Sequence, residues 1–149
     1  MAWREPTLRD LAAKLSQTEM NAFRKFPDFA TAADPAADIL RLTASFVRGF
    51  CRRNRQVTLS PAEYSVPESL LSPAMDCAAF DVLKRINLAP GEARVKAYEK
   101  AVELFEKVAS GDYTPESYSA DGEADDAASN LARPAIHEPP RRKVLDWNW

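Results

Sequence analysis

The pattern of this chain changes at Gly111. Up to that glycine apolar residues recur at helical spacing, and beyond it they almost disappear. A hydrophobic interior must be built from the first part, because a segment as polar as the second cannot bury enough surface to offset the entropy of its own ordering. A chain of 149 residues is the usual length for one domain, and with 46% apolar residues it can fill a core. The expected fold is all-α: a small helical bundle of four to five helices over residues 1–110, followed by a long extended C-terminal arm over 111–149.

Proline supplies most of the punctuation, with eleven in the chain, whereas four glycines leave little room for phosphate-cradling loops or tight hairpins. Pro6 and a Thr7 cap open a first segment running to about Phe26. Its Leu8, Leu11, Ala12 and Leu15 fall on one helical face. Ser16 with Glu19 three residues on forms a capping box, so two short helices should meet at 16–18, the second carrying Met20, Phe23 and Phe26. Asp34-Pro35 is a carboxylate cap followed by proline at the first helical position. From there Ile39, Leu42, Phe46 and Phe50 form one stripe, widened by Leu40, Val47 and Cys51. Arg41 and Arg48 take the opposite face, and the helix ends in Arg52, Arg53 and Arg55.

Residues 56–72 hold Pro61 and Pro67 and predict a loop or short edge strand, since proline is excluded from central strands. Ser72-Pro73 repeats the cap-plus-proline signal, and Met75, Ala78, Ala79, Val82, Leu83 and Ile86 supply another stripe. The last helix should run from about Gly91 to Ser110. Val95, Tyr98, Val102 and Phe105 line it, broadened by Ala101, Leu104 and Val108. Glu92–Lys96 and Glu103–Lys107 are favourable i, i+4 pairs, and Gly111 is placed to end the helix in the left-handed region.

Residues 112–126 contain Asp112, Glu116, Asp121, Glu123, Asp125 and Asp126 and no lysine or arginine. Residues 131–143 are proline-rich and basic, and the chain closes on Val144, Leu145, Trp147 and Trp149. Fully extended, an arm of this length reaches roughly 130 Å.

The residues do not assemble into a catalytic pattern, and no enzymatic activity is expected. His137 is the single histidine and sits in the proline-rich arm. Zinc sites need clustered Cys and His, whereas Cys51 and Cys77 are separated and fit buried reduced thiols. Neither a metal nor another cofactor is expected. Glu99, Glu103 and Glu106 lie on the solvent face of the last helix, and Asp76 and Asp81 are too far around a helix to act together. No P-loop, nucleophile elbow or dinucleotide fingerprint occurs. The N-terminus is unlike a signal peptide, and no run is long enough to span a bilayer; no membrane partner is expected.

Two features point to partners instead. The Arg48, Arg52, Arg53 and Arg55 cluster suits phosphate contact, or else a set of cations at a helix C-terminus where the dipole favours them. Trp147 and Trp149 end a polar arm with no local core to join. Such aromatic anchors dominate interface energetics, so they dock on a partner or neighbouring subunit, or fold back on the helical body. On the residues alone, a small cytosolic helical binding module that contacts DNA is an alternative.

The stretch from Asp34 to Gly111 resembles the head–tail connector (adaptor, or head-completion) proteins of tailed phages, the Mu-like and lambda-like group. The resemblance is carried by the helix ADILRLTASFVRGFCRRN with the loop VTLSPAEYSVPESLL after it, by the helix PAMDCAAFDVLKRI, and by ARVKAYEKAVELFEKVASGDY. That last element carries Arg94, Tyr98, Ala101, Leu104, Ala109 and Gly111. The resemblance implies a structural virion protein of the neck, assembled in the host cytoplasm as a homo-oligomeric ring between the capsid portal protein and a tail-side neck or tail terminator protein. It implies that the ring lumen passes DNA, with Arg48, Arg52, Arg53 and Arg55 facing the channel or an acidic surface. It also implies that the arm docks on the portal or a neighbour through Arg141, Arg142, Lys143, Val144, Leu145, Trp147 and Trp149.

Overall fold

The computed structural model describes residues 2–25 and 34–120. Phe26, His137 and the anchors from Arg141 to Trp149 lie outside the described residues. Among those described there are five helices: α1 (Leu8–Ala12), α2 (Gln17–Arg24), α3 (Pro35–Arg53), α4 (Glu68–Arg85) and α5 (Glu92–Ser110). A two-residue strand β1 (Trp3–Arg4) pairs antiparallel with β2 (Val66–Pro67), Trp3 opposite Pro67 and Arg4 opposite Val66. The fold is all-α apart from this small ribbon.

Local chemistry sets most helix starts. Thr7 and Asp10 form a capping box on α1, and Ser16 and Glu19 form one on α2, each satisfying backbone donors that have no intrahelical acceptor. Asp34 Oδ1 accepts from Ala37 N at 3.1 Å, with Pro35 as the first helical residue of α3. Gly111 closes α5 at φ 89°, a left-handed conformation that a Cβ would strain.

The start of α4 differs from the sequence expectation. The helix begins at Glu68, a turn and a half before Ser72-Pro73, and Pro73 lies inside it. Pro73 removes the N–H that would bond Ser69 O. The first turn is secured from far along the chain instead: the Glu116 carboxylate accepts from Ser69 N at 2.7 Å and from Ser69 Oγ. A carboxylate at a helix N-terminus also complements the macrodipole.

Three long helices, α3, α4 and α5, pack on one another, with α1 and α2 laid against α4. Because α4 meets four neighbours, its buried residues run around the helix rather than down one stripe: Leu70, Leu71, Ala74, Met75, Cys77, Ala78, Ala79, Val82 and Leu83. Leu11, Phe23, Val47, Val66, Leu70, Met75, Phe105 and Val108 are almost wholly excluded from solvent, each contributing about 1.5–3 kcal/mol by leaving water.

The nine residues after Gly111 return to this body. Trp3 Nε1 donates to Glu116 O at 2.8 Å, Tyr118 N to Thr58 O at 2.9 Å, and Thr114 Oγ1 to Gln56 Oε1 at 3.0 Å. Pro115 is buried. The segment straps β1, the 54–67 loop and the start of α4 together.

Candidate partner-binding surface

The core face of α3 is rotated from the stripe expected. Ile39, Leu40, Thr43, Ala44, Val47, Arg48 and Cys51 are buried, whereas Leu42 is 66% and Phe46 43% exposed and Phe50 is half-buried. The helix carries apolar residues over two arcs, and packing against α4 and α5 selects the 40–44–47–51 side. Thr43 tolerates burial because its hydroxyl donates to Ile39 O at 2.8 Å.

Arg48 is a second correction. It does not belong to a solvated cationic face: its guanidinium donates from Nη1 to Ser65 O at 2.9 Å and from Nη2 to Ser60 O at 2.9 Å. The guanidinium also lies 5.5 Å from the Trp3 ring centroid. Desolvation, followed by the nearby Arg52 charge, pulls its pKa down. Arg48 ties the 60–65 loop to α3 and is buried. Arg52, Arg53 and Arg55 remain exposed at the C-terminal end of α3, the Arg53 guanidinium 5.7 Å from the Phe50 ring centroid.

Of the exposed apolar residues, Phe46 packs against other rings. Phe46 meets Phe50 edge-on at 5.0 Å and Phe105 at 6.1 Å, and Phe50 stacks on Phe105 at 5.8 Å. Beside them an open groove of about 230 Å³ is lined by Leu42, Thr43, Phe46, Asp81 and Tyr98. Desolvation raises the Asp81 carboxyl pKa, opposed by Lys84 and Arg85, and raises Tyr98 as well. A shallower groove of about 510 Å³ separates the first turns of α4 (Ser72, Pro73, Asp76) from Ala93, Ala97 and Ala101 of α5.

Glu99, Glu103 and Glu106 are exposed on α5, as the sequence implies. Among the described residues no group of three or more His, Cys, Asp or Glu is placed to hold a metal ion, and no helix is long and apolar enough to cross a membrane. Cys51 and Cys77 are free and buried; burial pushes their thiols up to about 11 and about 12.

Exposed apolar residues thus lie along one helix, with cations at its end. Comparison with protein families agrees with a phage setting: the model of the family described as "Bacteriophage Mu, Gp36" matches residues 6–133 of the 149. The chain belongs to the bacteriophage Mu Gp36 family. No curated protein and no solved structure gives a significant match. The family match covers α1 to α5 and the strap, and continues past Ala120 into the basic segment. It makes the protein a Mu-like phage protein of the structural or assembly kind.

Sequence reasoning missed the α3 face and the Glu116 clamp. The first had a signal: the apolar arc of α3 is wider than one core contact needs, and Gly49 interrupts it near the C-terminal end of the helix. The second had none, since Glu116 and Ser69 are 47 residues apart.

Proposed function

We propose that this protein is an adaptor of the virion neck, joining the capsid portal to the tail as a ring of identical subunits. The observation that carries the reading is membership of the Mu Gp36 family over nearly the whole chain. In this reading Arg141, Arg142, Lys143, Val144, Leu145, Trp147 and Trp149 are the anchors on the portal or a neighbouring subunit. Arg52, Arg53 and Arg55 face packaged DNA or an acidic neighbour, and a tail-side neck or terminator protein meets the opposite end of the ring. Arg48 drops out of the DNA-facing set because it is spent on Ser60 and Ser65.

The rival reading, a DNA-binding regulator, loses support from the position of α4. A recognition helix needs a free polar face, and the exposed residues of α4 are only Glu68, Ser72, Asp81, Lys84 and Arg85.

The test is co-expression of the full-length protein with the portal protein of the same phage, followed by mass measurement by light scattering. The adaptor reading predicts a complex with several copies of this chain per portal ring, lost in a Trp147→Ser/Trp149→Ser variant that retains its helical circular dichroism. Absence of any portal complex, together with a salt-dependent shift of duplex DNA by the protein alone, would favour the regulator instead.

A further inference from the structure

The exposed side of α3 is self-complementary. Asp38, Leu42, Ser45, Phe46, Gly49 and Arg53 are all exposed and run down one face of this helix. They are spaced symmetrically about the midpoint between Ser45 and Phe46: Asp38 and Arg53 are equally far from it, as are Leu42 and Gly49. In each symmetric pair the members match, acid with guanidinium, large aliphatic with glycine, phenyl ring with the small serine. A two-fold axis through that midpoint sets each member of a pair opposite the other member on the second copy, so the face fits an antiparallel copy of itself.

We infer that α3 packs antiparallel against α3 of a second copy, with Leu42 of each chain seated over Gly49 of the other. Three observations support this beyond the exposure of the face. A Cβ built on Gly49 meets nothing within 4 Å, so the glycine is not required by the packing of its own chain. Glycine is a poor helix former, and its place on an exposed face is explained if a second helix approaches closely there. Phe46 is fixed by Phe50 and Phe105, so little rotamer freedom is lost on burying it. Asp38 and Arg53 form no ion pair among the described residues, Arg53 lying only over the Phe50 ring, so neither charge has a countercharge in its own chain there.

This contact is separate from the adaptor ring. A two-fold contact closes on itself, whereas a ring requires head-to-tail contacts through other surfaces, so the two readings stand or fall independently.

Sedimentation equilibrium of the full-length protein without portal, from micromolar to several hundred micromolar, tests it. The expected result is a monomer–dimer equilibrium. Gly49→Leu, which has room within its own chain, should weaken the dimer at least about tenfold because the axis repeats the clash. Asp38→Arg and Arg53→Asp should each weaken it by roughly tenfold, two exposed ion pairs at about threefold each. The double variant D38R/R53D should return to within about threefold of the parent. Circular dichroism checks that each variant is folded. A protein monomeric at every concentration overturns the inference, as does a charge swap that fails to rescue. Loss of the dimer in a Trp147→Ser/Trp149→Ser variant also overturns it, by assigning the face to the C-terminal tail.

Discussion

The Glu116 clamp gives the sharpest stability prediction. Glu116→Ala removes the two acceptors of Ser69 N and Ser69 Oγ while leaving the bond from Trp3 Nε1 to the Glu116 carbonyl in place. A hydrogen bond to a charged group contributes about 1.5–3 kcal/mol. The site is only partly buried, and water can replace some of what is lost, so about 2 kcal/mol for the pair is the expected cost. At about 4 °C per kcal/mol for a chain of this size, that lowers Tm by about 8 °C. Glu116→Gln keeps one acceptor and should fall between. The control is Glu103→Ala, which breaks an exposed 3.0 Å pair with Lys107 and should move Tm by no more than about 2 °C. Thermal unfolding followed by circular dichroism at 222 nm compares the two. If Glu116→Ala melts with Glu103→Ala, the strap does not secure α4 and the residues after Gly111 are not integral to the body.

Arg48→Met should cost about 3 kcal/mol, since it leaves the buried Ser60 and Ser65 carbonyls without their donor; an equal loss of DNA affinity without a loss of Tm would contradict its structural role. Cys51 and Cys77 should resist a thiol reagent at pH 8 until denaturant is added, because burial holds both well above the usual thiol range; rapid labelling of the native protein would refute that. The Arg4 guanidinium, hydrogen-bonded to Asp10, holds that carboxyl down at about 2 against an ordinary 3.8. A depressed carboxylate stabilises the fold above its unfolded pKa and loses that contribution as pH falls through the folded one. After allowance for solvent screening the gain is about 1 kcal/mol. The Tm gap between the parent and Asp10→Asn should therefore be about 4 °C at pH 6 and close between pH 4 and pH 2.

Signals confined to a few consecutive residues carried over into the structure. The Ser16–Glu19 box, the Asp34-Pro35 start and the Gly111 stop are each decided by neighbours within one helical turn, so the sequence alone suffices to place them. The start of α4 depended on a remote group. Pro73 looked like a first helical residue because that is where proline costs least; the structure admits it six residues in, where Glu116 from the strap already holds the preceding turn. The same distance effect hid Arg48, which reads as a surface cation until the 60–65 loop folds over it.

The candidate surface was hidden by a different ambiguity, one of rotation rather than position. Helical periodicity shows that α3 is apolar over a wide arc, but which part of the arc faces inward is set by the helices it meets. Two stripes compete, one through Leu42, Phe46 and Phe50 and one through Leu40, Ala44, Val47 and Cys51. The second has the smaller side chains, and it is buried where α3 meets α4 and α5; α4 itself buries Ala74, Ala78 and Ala79 beside larger residues. Small residues on both helices permit close approach and dense packing, which favours burying that stripe and turns the bulkier one outward. The exposure of Leu42 and Phe46 is thus a consequence of how the core is packed. A bulky apolar stripe left over after the core is complete, held rigid by Phe50 and Phe105 and broken by a glycine, is a surface that stays costly in water until another chain covers it.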